Sequence, residues 1–374
     1  MKQHSDSYPE DDPAISLLTY LCGLLGVRVG NDLELIGAGE GFWADLTRIA
    51  SEQLVLTVMA GACGRLNGLP PGSDEALTFF RQIEESNRRR NRWVLQQLDQ
   101  ANDAMSSAGI QAVVMKGGAF LATDRSDAAS WRFFGDLDFL VPPNRLDAAV
   151  SALKAIGYVE SRSVYHPGFH RHYPFLSHPS GETGIDLHTR AAGVDQSVLL
   201  DPERFFADAQ TVTEGGSPIL IPAPTDRLAH LIVNAQVLDY RYQRRLFRLR
   251  DVLDFAWLNT RHEINMDDIR GRFESHGSVK ALLAYLAMMG EILGPAYQPP
   301  SDAAGEAGWV RAAQRVIRQP SRARLHLVRH WLNMLVGQLF DGPQRRHLIE
   351  RLLDRDQRAE FISRRLSYWR TFKR

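Results

Sequence analysis

The segment WRFFGDLDFLV, residues 131–141, places two aspartates two positions apart inside an otherwise apolar run. Alternate side chains of a β-strand point to opposite faces, so Asp136 and Asp138 share one face while Leu137 and Phe139 take the other. Two neighbouring carboxylates repel each other and lose solvation when they are buried. The segment therefore predicts a strand with one apolar face and one acidic face that needs a positive partner.

The chain changes character on either side of this strand. Residues 13–110 carry apolar positions at steps of three, four and seven, which predict helices; the longest runs from about Asp74 to Ala108, with Ser73 or Asp74 as its cap. Between about 110 and 222, short β-branched runs alternate with short helical stretches. After that the pattern is helical again.

The order of these patterns predicts an α+β fold with a small mixed sheet at its centre. We predict an N-terminal helical region over residues 1–108, an α/β core over 109–222 and a C-terminal helical region over 223–374. The last region ends in a basic segment, residues 311–374, with sixteen Arg and Lys against five Asp and Glu. Arginine at helical spacing usually forms a solvated helix face, although a basic end also attracts RNA, DNA or acidic lipid.

Composition and the terminal sequence favour a cytoplasmic protein. The two cysteines, Cys22 and Cys63, lie in apolar helical stretches, which suits reduced thiols better than a disulfide framework. The first residues are polar and acidic, without the order of a signal peptide. The longest apolar stretches, such as residues 17–27, are shorter than the roughly 20 residues needed to cross a bilayer. We therefore expect no membrane span.

Three parts of the predicted core suggest chemistry when they are combined. Gly117 and Gly118 stand between a strand and a helix, Asp136 and Asp138 lie on the next strand, and Asp186 lies on a later one. A glycine turn at a helix start lets backbone N–H groups approach phosphates, and clustered carboxylates hold Mg²⁺. Phosphoryl transfer from a nucleoside triphosphate (NTP) needs both parts. Each signal alone is weak, but their order indicates nucleotide chemistry.

The segments VVMKGGAFLATD, WRFFGDLDFLV, LKAIGY and GIDLHTR resemble the uncharacterised bacterial nucleotidyltransferase family of the DNA polymerase beta-like superfamily. The shared pattern is Lys-Gly before a helix, then Arg-x-x-Gly-Asp-x-Asp-x-Leu-Val, a helix that ends in Gly-Tyr, and Asp-Leu-His. The resemblance extends over roughly residues 90–260. It implies that the small mixed sheet is a nucleotidyltransferase core.

The resemblance also implies an activity and a set of metal ligands. The activity is Mg²⁺-dependent transfer of a nucleoside monophosphate from an NTP such as ATP to an unidentified acceptor, with release of pyrophosphate. Asp136, Asp138 and Asp186 would be the catalytic residues and the ligands of two Mg²⁺ ions, with Asp186 beside the acceptor as a candidate proton acceptor. The acceptor stays open among small molecules, peptides, proteins and RNA, because the acceptor pocket decides it.

Five further residues complete the predicted site. Lys116, Gly117 and Gly118 would contact the phosphates, the glycines through their backbone amides, since the superfamily commonly has serine where this chain has Gly118. Arg132 either clamps a phosphate in a bidentate way or pairs with an acidic neighbour. His188 shares a face with Asp186 and either contacts substrate or orients the Asp186 carboxylate.

Two other functions remain open at this point. Toxin-type nucleotidyltransferases that modify tRNA have Lys-Gly-Gly and Asp-x-Asp motifs similar to KGGAF and GDLDF, and the basic C-terminal end would suit RNA. The core could also be a catalytically idle nucleotide-binding module. The histidine-rich segment HPGFHRHYPFLSHPS matches no standard zinc ligand set. His230 and Asp251 match family positions on later helices, where packing is the favoured interpretation.

Overall fold

The structure of the protein is a computed structural model. The residues that it describes run from 17 to 332, except 22–27, 30–34, 37–38, 40, 65–68, 70–71, 126–130, 162–171, 180, 194–195, 214–216, 320, 323–324, 327 and 330–331. Cys22, His166, His170 and most of the basic C-terminal segment lie outside the described residues, so the predictions made for them are not tested. Cys63 lies buried in the core.

The N-terminal part is mainly helical. Helices α1 (Phe42–Glu52), α2 (Met59–Cys63) and α3 (Ser73–Ser107) follow one another along the chain. They are preceded by a two-stranded antiparallel sheet of β1 (Arg28–Val29) and β2 (Leu35–Ile36), which the apolar periodicity did not predict. Two-residue strands are too short to show a period of two in the sequence.

Helix α3 is 35 residues long and buries its predicted apolar stripe, including Phe80 and Leu98. The predicted N-cap of this helix, Ser73 or Asp74, is wrong. Gly72 is the N-cap, in the left-handed conformation with φ 83°, and no side chain caps the helix. Asp74 lies in the first turn instead, where its negative charge interacts favourably with the helix dipole.

Seven strands form the larger, mixed sheet: β3 (Val113–Met115), β4 (Asp136–Leu140), β5 (Val159–Glu160), β6 (Leu176–Ser177), β7 (Gly184–His188), β8 (Gln210–Val212) and β9 (Ile219–Ile221). Their order across the sheet is β5-β6-β7-β4-β3-β9-β8. The two long strands, β4 and β7, are neighbours and run parallel, and β4 is antiparallel to β3. The α+β prediction is confirmed.

The pairing of β4 with β7 fixes which side chains share a face. Asp138 is aligned with Asp186, and Leu137 is aligned with Ile185. Aligned residues of parallel strands point to the same face, so the carboxylates lie together on one side of the sheet. Leu137 and Ile185 are fully buried on the other side. The alternation predicted for both strands is therefore present.

Among the described residues between the strands of this sheet lie the helices α4 (Lys116–Thr123), α5 (Leu146–Ala155) and α6 (Pro202–Ala207). Helix α4 follows β3 without a loop, and α5 ends before Gly157 as predicted. Gly157 has φ 98°, a conformation that glycine adopts without strain, and a Cβ there would lie 2.7 Å from His178 Nε2.

The described C-terminal part consists of helices α7 (Pro224–Val233), α8 (Arg241–Arg244), α9 (Leu249–Arg261), α10 (Met266–Ser275), α11 (Val279–Leu293) and α12 (Ala307–Arg318). They pack mainly on one another, and α7 also packs on α4. A π-helical segment, Asn234–Leu238, continues α7. One-turn and two-turn 3-10 helices occur at Leu56–Val58, Pro143–Arg145, Gly294–Ala296 and Ser301–Glu306. The helices predicted after the core are present.

Residues 279–296, which comprise α11 and the turn after it, form the one described segment that is long and apolar enough to cross a membrane by length and composition. Half of this window is buried inside the fold. Tyr285 of α11, for example, is fully buried and packs against Phe255 of α9. Core helices of globular proteins pass the same test, because burial in protein also selects apolar side chains.

One cluster of buried apolar side chains extends through all parts of the described chain. It includes Phe80 of α3, Phe139 of β4 and Phe255 of α9. The N-terminal and C-terminal helices thus cover the sheet and share its core. The division into three regions at 108 and 222 stays a prediction.

Candidate active site

Five of the predicted site residues, Lys116, Gly117, Arg132, Asp136 and Asp138, line a cavity of about 260 Å³ between the sheet and the C-terminal helices; Gly118, Asp186 and His188 do not line it. The sheet contributes Asp136 and Asp138 from β4, and the start of α4 contributes Lys116 and Gly117. We call these residues the carboxylate wall. The arginine wall is formed by residues that precede β4 or lie on α7 to α9: Arg132, Arg227, Arg241, Arg248, Arg250, Asp251 and Asp254.

Asp138 is the buried centre of the carboxylate wall. Its Oδ1 accepts hydrogen bonds from Lys116 Nζ and, at 2.8 Å, from His188 Nε2. Burial alone would raise the pKa of Asp138, but Lys116 and His188 outweigh it and hold this pKa well below its usual range. The carboxylate is therefore ionised, and Lys116 is the positive partner that the sequence required. Asp138 Oδ2 accepts no hydrogen bond from the residues that the structure describes, so it is open to a cation.

Lys116 adopts an unusual backbone conformation for this contact. Its φ of 47° lies in the left-handed region, which costs a residue other than glycine about 1–3 kcal/mol. Met115, the last residue of β3, is the N-cap of α4. The chain thus passes from strand to helix within one residue, and the ammonium group ends beside the Asp138 carboxylate.

Asp138, Asp186 and His188 form a group that fits a divalent cation. Each offers a ligand atom, and these atoms all lie within 4.8 Å of one another. Carboxylate oxygen and imidazole nitrogen together suit divalent metals. Burial lowers the pKa of His188, so the ring is neutral near pH 7. Since Asp138 must accept, His188 Nε2 carries the hydrogen and Nδ1 is a buried acceptor that no described residue satisfies. Such a donor set is consistent with a bound metal ion.

Asp136 lies on the same face of β4 but is not part of this group of three. It stands at the exposed first position of the strand and lines the cavity. Its pKa is raised, first because the cavity walls partly desolvate it and second because Asp138 repels it. The structure thus brings together two of the three predicted metal ligands with His188, which was predicted as a substrate contact, and leaves Asp136 beside them.

Gly117 and Gly118 are both buried in the first turn of α4. A Cβ at Gly117 would lie 2.7 Å from Arg132 Nη1, and a Cβ at Gly118 would lie 2.6 Å from Val114 Cγ1. Close packing therefore requires both glycines. Gly117 also lines the cavity, whereas Gly118 faces β3. The phosphate contacts predicted for them stay a prediction.

Arg132 forms a buried ion pair with Asp254 of α9. Arg132 Nε lies 2.8 Å from Asp254 Oδ1, and Arg132 Nη2 lies 2.9 Å from Oδ2. Of the two alternatives open from the sequence, the structure shows the acidic neighbour. The remaining nitrogen, Nη1, faces Gly117. A phosphate contact through Nη1 stays a prediction.

A second ion pair stabilises the arginine wall around α8. Arg241 Nη1 donates to Asp251 Oδ2 at 2.5 Å. The two residues that flank α8, Tyr240 and Arg245, have φ of 54° and 56°, which are strained values for residues with a Cβ. His230 also lines the cavity. Asp251 and His230, for which packing was favoured, therefore both lie at the site.

Helix α3 fixes both loops that lead into the carboxylate strands. Asn87 and Asn91 each donate to the Arg132 carbonyl, at 3.1 and 2.8 Å, just before β4. Gln97 donates to the Thr183 carbonyl at 3.1 Å, and its Oε1 accepts from the two backbone N–H groups before β7. These positioning residues were missed from the sequence. The sequence did contain a sign of two of them, because Asn87 and Asn91 are amide side chains four residues apart that interrupt the apolar stripe of the helix.

A family model described as an uncharacterised nucleotidyltransferase matches residues 40–294 of this chain. The match spans every element from α1 to α11, including both walls of the cavity. The chain belongs to this nucleotidyltransferase family. Its extent is wider than the roughly 90–260 over which the motifs resemble the family. Searches of curated proteins and of solved structures find no significant match.

Family membership gives the site a chemical context. The group of Asp138, Asp186 and His188 is a candidate metal site, and Asp138 connects it to the cavity that Lys116 and Gly117 at the start of α4 also line. Nucleotidyl transfer needs a divalent metal near the phosphates of an NTP. A possible metal site beside a helix start is consistent with the chemistry of the family.

Proposed function

We propose that this nucleotidyltransferase transfers a nucleoside monophosphate from an NTP to an acceptor in a Mg²⁺-dependent reaction that releases pyrophosphate. The observation that carries the proposal is the convergence of Asp138, Asp186 and His188 beside the start of α4. This places cation ligands next to free helix N–H groups, which attract anions. The donor nucleotides and Mg²⁺ are abundant in the cytoplasm, which we propose as the location.

Asp136, Asp138 and Asp186 would hold Mg²⁺ on the acidic face of the sheet. When bound, the metal neutralises charge on the phosphates and lowers the pKa of an acceptor hydroxyl. His188 fixes the orientation of the Asp138 carboxylate through the 2.8 Å hydrogen bond from Nε2. The open Oδ2 of Asp138 is the oxygen available for the cation, because Oδ1 already accepts two hydrogen bonds.

Lys116 and the first turn of α4 would bind the donor phosphates. Lys116 balances the charge of Asp138 in the metal-free protein, and its flexible side chain also reaches the cavity that Gly117 lines. The unpaired backbone N–H groups at the start of α4 add a favourable dipole for a phosphate. Asp186, the least enclosed member of the metal group, would accept the proton of the acceptor hydroxyl.

The test is a transfer assay with an open choice of acceptor. The purified protein is incubated with each NTP labelled at the α-phosphate, with Mg²⁺ and cell extract, and pyrophosphate release and labelled species are measured. We expect Mg²⁺-dependent pyrophosphate release with at least one NTP and one labelled product, which identifies the acceptor as a small molecule, peptide, protein or RNA.

The other outcomes distinguish the alternatives. A labelled tRNA, with binding that weakens as salt is raised, supports the tRNA-modifying enzyme. Calorimetric binding of an NTP with Mg²⁺, but no pyrophosphate release with any extract, supports the idle nucleotide-binding module and contradicts the proposed activity.

A further inference from the structure

The arginine wall carries more positive charge than its own carboxylates neutralise. Six cationic side chains and four carboxylates line the cavity. Asp254 is occupied by its bidentate pair with Arg132, and Asp251 by its short contact with Arg241. Arg227, Arg248 and Arg250 remain without a close carboxylate among the described residues, apart from a 3.7 Å contact of Arg250 with Asp251. A buried excess of charge costs free energy unless a ligand balances it.

Arg227 shows this imbalance most clearly. Its side chain is 6% exposed, and its Nε and Nη2 are buried without a hydrogen-bond partner among the described residues. Nη1 makes one long contact, 3.4 Å, with Thr123 Oγ1. The guanidinium stacks over the rings of Phe120 and Trp257, at 4.7 and 5.3 Å from the ring centroids. Stacking occupies the faces of the group and leaves its N–H edges for an anion.

Arg250 and Arg248 extend the same surface. Arg250 Nε is buried without a partner among the described residues, and Arg248 lines the cavity from its exposed edge. The pKa values of Arg227, Arg248 and Arg250 are all lowered, first by burial and then by cationic neighbours. The cationic neighbour of Arg227 is Arg132, that of Arg250 is first Arg132, and those of Arg248 are Arg241 and Arg250. An anion bound in the cavity that these arginines line would offset that repulsion.

We propose that Arg227, with Arg248 and Arg250, forms a binding site for a polyphosphate group opposite the metal site. The assignment of that group to a nucleotidyl-transfer substrate rests on the proposed function. Planar guanidinium groups match phosphate oxygens in a bidentate way. The carboxylate wall binds cations and the arginine wall binds anions, so a metal-bound polyphosphate in this cavity would contact both.

The polyphosphate comes from one of two sources. It is either the triphosphate of the donor NTP or a phosphorylated part of the acceptor. The shared chemistry is a phosphate anion, so inorganic tripolyphosphate is a suitable probe. Without metal, Asp136 and Asp138 repel the probe, so its binding depends chiefly on cationic groups, and substitutions in the arginine wall separate the share of that wall from the share of Lys116 and the start of α4.

The experiment uses the full chain in EDTA and measures tripolyphosphate binding by calorimetry and by the shift of the thermal midpoint. The variant Arg227→Met should bind tripolyphosphate about tenfold or more weakly, since it loses charged hydrogen bonds. Its thermal midpoint without ligand should be equal to or above that of the wild type, because an unpaired buried charge is removed. A purely structural arginine would give the opposite shift.

Arg261 offers a matched control. It stacks on the same Trp257 ring at 5.1 Å, but it is exposed and does not line the cavity. Arg261→Met should leave tripolyphosphate binding unchanged, and Arg250→Gln should weaken it. Wild-type binding in both Arg227→Met and Arg250→Gln would overturn the proposal, as would equal losses in Arg227→Met and Arg261→Met.

The same measurements separate this site from the activity. If the wild type binds tripolyphosphate through Arg227 but transfers no nucleotide, the anion site stands and the proposed function fails. If it transfers nucleotide while Arg227→Met binds tripolyphosphate normally, the function stands and the anion site fails. Competition between tripolyphosphate and ATP would assign the site to the donor, and simultaneous binding of both would assign it to the acceptor.

Discussion

The two walls of the cavity are built in different ways. The carboxylates of the carboxylate wall stand on β4, which the sheet holds in parallel register with β7 so that Asp138 is aligned with Asp186. The arginine wall comes from helices α7 to α9 and is connected to the sheet by the ion pair of Arg132 with Asp254, two residues that are 122 positions apart. In the first wall, backbone hydrogen bonds fix the spacing of the charges; in the second, the charges themselves help to fix the helices.

This difference indicates whether a substitution in each wall should mainly change turnover or mainly change the stability of the fold. A substitution of Asp136 or Asp138 removes a proposed metal ligand while the sheet stays formed, so it should affect turnover more than stability. A substitution that breaks an ion pair of the arginine wall leaves a buried charge uncompensated, so it should affect stability first. The following three experiments test that contrast, from the largest expected effect to the smallest.

Asp136→Asn or Asp138→Asn should abolish turnover, with a loss of about 10³-fold or more, because a metal-holding charge acts on the transition state. Asp136 is exposed, so its variant should keep the circular dichroism and thermal midpoint of the wild type. The measurement is pyrophosphate release at saturating NTP. Asp103→Asn, an exposed carboxylate on α3 outside the cavity, is the control. Wild-type turnover in either variant would remove the metal-ligand assignment.

Asp254→Ala should destabilise the protein by about 3–5 kcal/mol, because Arg132 is left buried and unpaired. Urea unfolding followed by circular dichroism gives the free energy of unfolding. The matched control is Asp302→Ala, which breaks an exposed pair with Arg270 and should cost far less, because solvent screens exposed ion pairs. The double variant Arg132→Met, Asp254→Leu should recover much of the loss. Equal losses in the free energy of unfolding for Asp254→Ala and Asp302→Ala would show that burial of the Arg132–Asp254 pair does not make it more important for stability than an exposed pair.

His188 should make stability depend on pH without added metal. Its pKa is lowered in the folded protein, so between the folded value and the unfolded value of about 6.5 the unfolded chain binds more protons. The contribution of neutral His188 to the free energy of unfolding is therefore fully present above about pH 6.5. It is lost as the pH falls below that value, at up to about 1.4 kcal/mol per pH unit. The lowered pKa of Asp138 acts in a separate window, below about pH 3.9.

The free energy of unfolding is measured in EDTA at four pH values, roughly 7.5, 6.5, 5.5 and 5. His188→Gln keeps a donor for Asp138 but does not titrate, so its stability should change less with pH over this range. An identical slope in wild type and variant would show that His188 does not couple protonation to folding.

Much of the carboxylate wall could be predicted from the sequence. Strand alternation put Asp136 and Asp138 on one face, and the motif order placed Asp186 with them. The same reasoning could not show that His188 contacts Asp138, because the register of β4 against β7 decides which side chains meet. It also could not show that Gly118 packs against Val114, where a side chain would not fit; the phosphate contact assigned to Gly118 stays a prediction.

Most of the arginine wall could not be predicted from the sequence. Arg227 and Asp254 lie on amphipathic helices in which an isolated charge usually faces solvent. Only the packing of α7 and α9 over the sheet shows that these charges are buried and that Arg132 is paired. The capping of α3 by Gly72 was missed for a related reason, since serine and aspartate at a helix start are favoured but not required.

The hydrogen bonds from α3 have a consequence for any attempt to isolate the sheet as a minimal enzyme. A shortened protein that starts at Ile110 would retain every motif residue, yet it would lack Asn87, Asn91 and Gln97. The carbonyl groups of Arg132 and Thr183 would then lose their side-chain donors, and the two strand entrances would be free to move relative to each other. The distance between the acidic groups is thus set partly by a helix that carries none of them.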